Sequence, residues 1–315
     1  MTSRHLIQQF VISFAVLVLA NFLVDRLAIN SVPRQLIRTA GSLEAPTDLF
    51  LGNSTMAAGL DQATFAEGCS GCRPINLGLG SSSPVEHYLI YRQVRKHSNA
   101  NVFYGFIDTQ LTDNPIGNYE SLFGNRAMAY YVESDVAREY YTSKSLLNDL
   151  IFRLCSQIPM IVERSAIWAK IERFRRWVGE FGMPARSNNR FGRAEDFILI
   201  ELGVEDFVSR CKHAVKEQSP ICSALTAMFD QVLESGSRLF VVEMPMSSSH
   251  RKRYYQLPIW NAYRENIKKQ VESLGGLYIE ASEWVADDGF ADGLHLNAKG
   301  AKQFSRRISH FSQSQ

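Results

Sequence analysis

The sequence predicts an α/β fold: a flavodoxin-like, doubly wound, mostly parallel five-stranded sheet with a helical insertion and an N-terminal transmembrane helix. Three observations predict it. Short apolar or β-branched runs at residues 49–51, 74–79, 102–107, 239–244 and 277–279 are each bounded by Gly, Asn, Asp or Pro, as strands buried on both faces tend to be. Amphipathic helical patterns lie between these runs, and alternation of strand and helix belongs to parallel crossover units. A separate, nearly uninterrupted apolar segment stands near the start of the chain.

That segment, residues 6–24, is apolar except for Gln8, Gln9, Ser13 and Asn21, and Asp25 and Arg26 end it. About 20 apolar residues cross a bilayer, so its length is just sufficient. A cleaved signal peptide is the rival reading, but Ala20 is a poor cleavage residue and no A-x-A precedes a mature start. The expected organisation is therefore an anchor over 1–26, a linker with short helical character over 27–47, and a main α/β domain over 48–315. Arg4 precedes the span, while Arg26, Arg34 and Arg38 follow it, and by the positive-inside rule this charge favours a cytoplasmic domain.

Among the helices, one at 86–96 follows Ser83-Pro84, an N-cap with Pro at the first position. The next, 224–234, brings Leu225, Met228, Phe229, Val232 and Leu233 to helical spacing and stops near Gly236; 260–274 ends at Gly275-Gly276. Asn297 caps a last helix with Ala301, Phe304, Ile308 and Phe311 in one stripe. The insertion runs from about 119 to 220. Its stretch 146–181 reads as helical, interrupted at Pro159. There Arg164, Lys170, Arg173, Arg175 and Arg176 alternate with Ile161, Ile167, Trp168, Ile171, Phe174 and Trp177. This is either a cap helix with a solvated basic face or a surface for an anionic membrane.

With 315 residues, 45% of them hydrophobic, the chain can bury a full core, and a net charge of +2 gives no support to nucleic-acid binding. The cysteines are Cys69, Cys72, Cys155, Cys211 and Cys222. A zinc site needs a second pair to match Cys69-x-x-Cys72, and none is present. In an oxidising compartment Cys69–Cys72 or Cys211–Cys222 can form local disulfides; free thiols are the alternative. No metal or cofactor is called for.

The chemistry-bearing residues follow the strands. Ser54 lies just past the first, Gly78 and Gly80 at the end of the second, Asp108 after the third, and Asp292 and His295 after the last. Ligands of open α/β sheets bind beyond the carboxyl ends of the strands, so these segments converge on one edge. A serine nucleophile needs a base to take its proton, and the base needs an anion to hold its tautomer. Asp292-x-x-His295 can supply both from one turn. A capping role for Ser54 and a plain surface histidine at 295 are the competing readings. His87, His97, His213 and His310 have no such company and read as solvated. A basic loop, Ser247-Ser-Ser-His250-Arg251-Lys252-Arg253-Tyr254, follows the fourth strand; Arg251 and Arg253 can meet an anionic sugar polymer or phosphate there, and Tyr254 and Tyr255 can stack on sugar faces, a plain charged surface loop being the alternative.

Gly52-Asn53-Ser54, the glycine block at 76–83 and Asp292-x-x-His295, in this order and strand context, resemble the SGNH/GDSL hydrolase superfamily. With the N-terminal anchor, the chain is similar to divergent members of the alginate-acetylation type, which handle O-acetyl groups on exported polysaccharides. The resemblance implies a nucleophile at Ser54, a base at His295, an orienting carboxylate at Asp292, and oxyanion donors at the backbone N–H groups of Ser54 and Gly80. It implies an esterase or O-acyltransferase acting on a cell-envelope or exported glycan, with polysaccharide-assembly proteins as partners. It also implies the opposite orientation to the charge: a single-pass protein of the bacterial inner membrane with a periplasmic domain. A lipid or small-ester esterase and an inactive glycan-binding scaffold are the alternatives. The third block departs from the family's Gly-x-Asn-Asp, because Gly105-Phe-Ile107-Asp108 has no side-chain donor at Ile107. Asn114 or Asn53 is expected to supply that leg, and Asp108 to bind substrate or cap a turn.

Overall fold

The structure is a computed structural model that describes residues 3–43, 47–80, 82–94, 101–112, 131, 139–140, 145–164, 167, 170–171 and 203–313. The chain divides into two compact units: Met1–Thr39 with Tyr119–Ala185, and Ala40–Asn118 with Arg186–Gln315. Residues 119–185 of the insertion thus group with the N-terminal helices, and the remainder with the sheet.

The larger unit is built on five parallel strands: β1 (Asp48–Gly52), β2 (Pro74–Asn76), β3 (Asn101–Phe106), β4 (Arg238–Glu243) and β5 (Leu277–Glu280). Their order is β2-β1-β3-β4-β5. The direction of winding reverses between β1 and β3, and such a switch point opens a crevice at the carboxyl ends of the two strands. Ser54 and Asp108 are two residues beyond the ends of these strands. The expected second strand over 74–79 is shorter by the ladder, yet Leu77 and Leu79 still donate to Phe50 O at 2.8 Å and Gly52 O at 3.0 Å.

Successive side chains on a strand point to opposite faces, and each face of this sheet has its own aromatic core. On one face the register aligns Phe50, Phe103 and Phe240. These rings stack at 4.6 Å between centroids in each pair, and Phe65 closes edge-on at 5.0 Å from Phe50. Phe65 belongs to α4 (Gln62–Gly68), which packs beside α11 (Ala298–Gln313). On the other face Tyr104, one residue along from Phe103, meets Phe229 edge-on at 5.6 Å. Phe229 lies in α9 (Ser223–Glu234), which packs against α5 (Pro84–Tyr91). The sheet is therefore covered on both faces.

The helix boundaries follow local chemistry. Ser83 and Glu86 close a reciprocal capping box around Pro84, so α5 starts two residues earlier than the apolar pattern suggests. Pro258 at the first position starts α10 (Pro258–Leu274) without a side-chain cap, and the helix stops where Gly275 takes φ +95. The short α3 (Ser54–Gly59) leaves β1 through Gly52, and α8 (Val204–Lys216) packs on α10.

The smaller unit contains α1 (Ser3–Leu27), most of α2 (Val32–Gly41), α6 (Leu146–Ser156) and α7 (Pro159–Val162). Within α1, residues Ile7–Leu27 are apolar enough and long enough to cross a membrane. Pro159 ends the helix before it and begins the next, as its missing N–H requires. Trp168, Trp177 and most of the expected basic face fall outside the described residues.

Candidate active site

Gly52 sets the direction in which the segment carrying Ser54 leaves the sheet. It takes φ +145, and a Cβ there would lie 2.5 Å from Gly105 O on the neighbouring strand, so only glycine fits this exit from the sheet. Asn53 then caps α3: its Oδ1 accepts from the Thr55 N–H at 2.9 Å and from the Thr55 hydroxyl at 2.7 Å. The capping role belongs to Asn53, which leaves the Ser54 hydroxyl for other work. Asn53 Nδ2 donates to Gln110 Oε1 at 3.2 Å, a contact that uses one of its two N–H groups.

The Ser54 hydroxyl lies 2.9 Å from Nε2 of His295, and Nδ1 of His295 lies 2.8 Å from Oδ2 of Asp292. Asp292 Oδ1 also accepts the backbone N–H groups of Leu294 at 2.8 Å and His295 at 2.7 Å. Burial opposes ionisation of this carboxyl, but the His295 side chain and the two N–H groups outweigh it and hold its pKa below the usual carboxylate range. An ionised Asp292 accepts from Nδ1–H, so Nε2 carries the lone pair and accepts from Ser54. His295 is 3% exposed while Ser54 is half-buried, so the base is shielded and the hydroxyl is reachable.

The glycine block packs directly on the start of α3. Asn76 Nδ2 donates to the carbonyls of Met56 and Ala57 at 3.3 and 3.2 Å, and its Oδ1 accepts from the Gly78 N–H at 2.9 Å. A Cβ on Gly78 would lie 2.6 Å from Ala57 N, so the loop can approach α3 this closely only without a side chain. The result brings Gly80 beside Ser54: a Cβ built on Gly80 would be 3.8 Å from the serine Cβ.

Sequence reasoning missed His87. It is fully buried, not solvated, and its pKa is lowered to about 3 by burial. The Ser82 hydroxyl donates to Leu79 O, so its oxygen accepts from His87 Nε2–H at 2.6 Å, and Nδ1 accepts from the Tyr104 hydroxyl at 2.9 Å. This relay runs from the middle of β3 to the loop that carries Gly80. The apolar run at 102–107 marks Tyr104 as a buried strand residue, but nothing local to residue 87 signals its partners.

The loop after β4 differs from expectation. Tyr254 and Tyr255 are 3% and 4% exposed, so neither can stack on a sugar; they pack with Phe207 and Trp260 in the core. Arg251 Nη1 donates to Met246 O at 2.6 Å and to Ser282 O at 3.3 Å, so this guanidinium helps hold the loop in place. Arg253 is exposed, with its guanidinium 5.3 Å from the Tyr254 ring. Asp108 adopts a left-handed backbone at φ +48, and its Oδ1 is 3.1 Å from Nε2 of His250. Two contacts tie these segments to the serine: Gln110 binds Asn53, and the Ser247 hydroxyl donates to Gly293 O at 2.9 Å, next to Asp292. Asn114 lies outside the described residues.

No family model and no curated protein matches the chain. Among solved structures it is similar to one described, provisionally, as a platelet activating factor from Streptococcus pneumonia. That likeness has 10% identity and a TM-score of 0.41, and covers 95% of this chain and 98% of the other. So remote a likeness carries no functional weight, and the chemistry must come from the residues themselves. Cys69 and Cys72 form a disulfide at the turn between α4 and β2, while Cys155, Cys211 and Cys222 are buried thiols. Among the described residues no His, Cys, Asp and Glu group is placed to hold a metal.

Proposed function

We propose that this protein is a membrane-tethered serine esterase or O-acyltransferase that works through an acyl-enzyme at Ser54. The observation that carries the reading is one chain of hydrogen bonds, 2.9 Å from Ser54 to His295 and 2.8 Å from His295 to Asp292, joining segments 241 residues apart. His295 Nε2 takes the hydroxyl proton as Ser54 Oγ attacks the ester carbonyl. The charge that grows on the carbonyl oxygen meets the backbone N–H groups of Ser54 and Gly80, each such donor being worth about 10²–10³ in rate. The first residues of a helix have N–H groups without intrahelical partners, which suits Ser54 to this part. Collapse breaks the ester C–O bond, and His295 returns the proton to the departing alcohol. A second hydroxyl, from water or a sugar, then gives its proton to His295 and attacks the acyl-enzyme; the acyl–Oγ bond breaks and His295 returns the proton to Ser54. Asp292 keeps the tautomer and supports the imidazolium throughout.

The substrate we favour is an acylated cell-envelope or exported glycan, reached from a domain on the outer side of the membrane. The Cys69–Cys72 disulfide supports that side, since such bonds persist in oxidising compartments. A fluorophosphonate probe tests the chemistry. Ser54 should be labelled, and Ser54→Ala and His295→Ala should each abolish labelling in protein that keeps its thermal transition. An unreactive Ser54 in folded wild-type protein would leave a glycan-binding scaffold as the better reading.

A further inference from the structure

Helix α6 divides into three strips at 3.6 residues per turn. Phe152 and Cys155 face inward and are buried. Asp149 and Arg153, paired at 3.0 Å, form a polar strip with Ser156. Leu146, Leu147, Leu150 and Leu154 fill an arc of about 100° beside it, and they are 87%, 64%, 54% and 58% exposed. Ile158 and Met160 continue this apolar surface into α7 at 38% and 41% exposed. Scattered surface leucines need no explanation, but a contiguous stripe bordered by a polar strip marks a surface that something apolar covers.

The neighbouring contacts say what covers it. Helix α7 packs against α1, and all of these contacts lie within the smaller unit. The Met160 N–H, at the start of α7, donates to Asn21 Oδ1 of α1 at 3.1 Å; α7 has no side-chain cap of its own. At the other end of α7, Glu163 accepts from Arg34 Nε at 2.6 Å, and Arg34 Nη2 donates to Asp25 of α1 at 2.5 Å. Glu163 is 1% exposed, so the clamp is buried at its α7 end, while Arg34 and Asp25 are 24% and 43% exposed. Lys170 also donates to Leu27 O. Asn21, Asp25 and Leu27 belong to the last turns of the apolar segment Ile7–Leu27. The clamp therefore fixes α7, and α6 through the two residues that join them, at the depth where the apolar segment ends. An amphipathic helix held at that depth, with an apolar arc on one side and an ion pair beside it, has the form of an interfacial helix.

We propose that α6 lies in the membrane interface with Leu146, Leu147, Leu150 and Leu154 among the upper acyl chains, so that the unit carrying α1 is embedded by two elements. The occupant of the stripe is lipid. This proposal does not depend on the chemistry of Ser54.

The test uses the full chain reconstituted in vesicles of phosphatidylcholine and phosphatidylglycerol. An environment-sensitive NBD fluorophore is attached at Leu150→Cys or Leu154→Cys, with unsubstituted protein giving the background from native thiols. Leu17→Cys in α1 and Lys212→Cys in the exposed face of α8 serve as bilayer and water references. Labels at 150 and 154 should lose emission to a nitroxide placed high on the acyl chain, less to one placed deep, and should resist aqueous iodide. The label at 17 should respond to the deep nitroxide, and that at 212 to iodide alone. Labels at 150 and 154 quenched by iodide and untouched by lipid nitroxides would overturn the proposal. Protection from both quenchers would also overturn it, because a protein would then cover the stripe. Loss of lipid quenching at 17 would overturn it as well, by removing the span on which the depth rests.

Discussion

Ser54 sits in the first turn of a helix, where a hydroxyl ordinarily serves as a cap, but Asn53 accepts the Thr55 N–H in its place. Asn53→Ala should therefore lower stability by about 0.5–2 kcal/mol, the usual value of a cap, in a denaturant titration. Asp292→Asn should leave the backbone fold intact and cut turnover by on the order of 10³–10⁴, because the amide favours the wrong His295 tautomer. With the folded Asp292 pKa held low, its contribution to stability is present above the ordinary carboxylate range and is lost as pH falls through the folded value. His87 has the opposite charge type and the same acid-side sign. The unfolded chain takes up its proton below the ordinary value of 6.5, while the folded imidazole stays neutral down to about 3. Stability should fall through that window by at most about 1.4 kcal/mol per pH unit. His87→Gln should flatten this loss, read as the difference in denaturant midpoint between neutral and acid buffer.

At the scale of elements, the site depends on how closely the glycine block approaches α3. Gly78→Ala would drive a methyl into Ala57 N at 2.6 Å. The loop must then shift away from Ser54, so probe labelling of Ser54 should slow more than stability falls, compared by labelling rate and thermal midpoint. In the sheet, Phe103 stacks between Phe50 and Phe240, with Phe65 edge-on. Phe103→Ala should cost about 3–5 kcal/mol, the loss of a large ring plus the cavity it leaves, by chemical unfolding. The strands and most helix ends were legible because they rest on local signals: apolar runs, Pro at a first helical position, Gly after a last one. The roles of Tyr254 and Arg251 were not. A basic, aromatic loop reads as a binding surface until the tertiary fold turns its tyrosines onto Phe207 and Trp260.

For the molecule as a whole, α1 should hold the protein in the membrane pellet through an alkaline carbonate wash and release it only to detergent. Release by carbonate would count against a spanning helix. The sequence by itself determined the strand and helix alternation, the apolar N-terminal segment, and the order of Ser54, Asp292 and His295 along the chain, because periodicity, capping chemistry and motif spacing are local properties. Only the tertiary structure decided which of Asn53 and Ser54 caps α3, that His87 is a buried strut, and that residues 119–185 group with the N-terminal helices. Those outcomes depend on which side chains meet across long separations in sequence, and such packing leaves no period for the sequence to display.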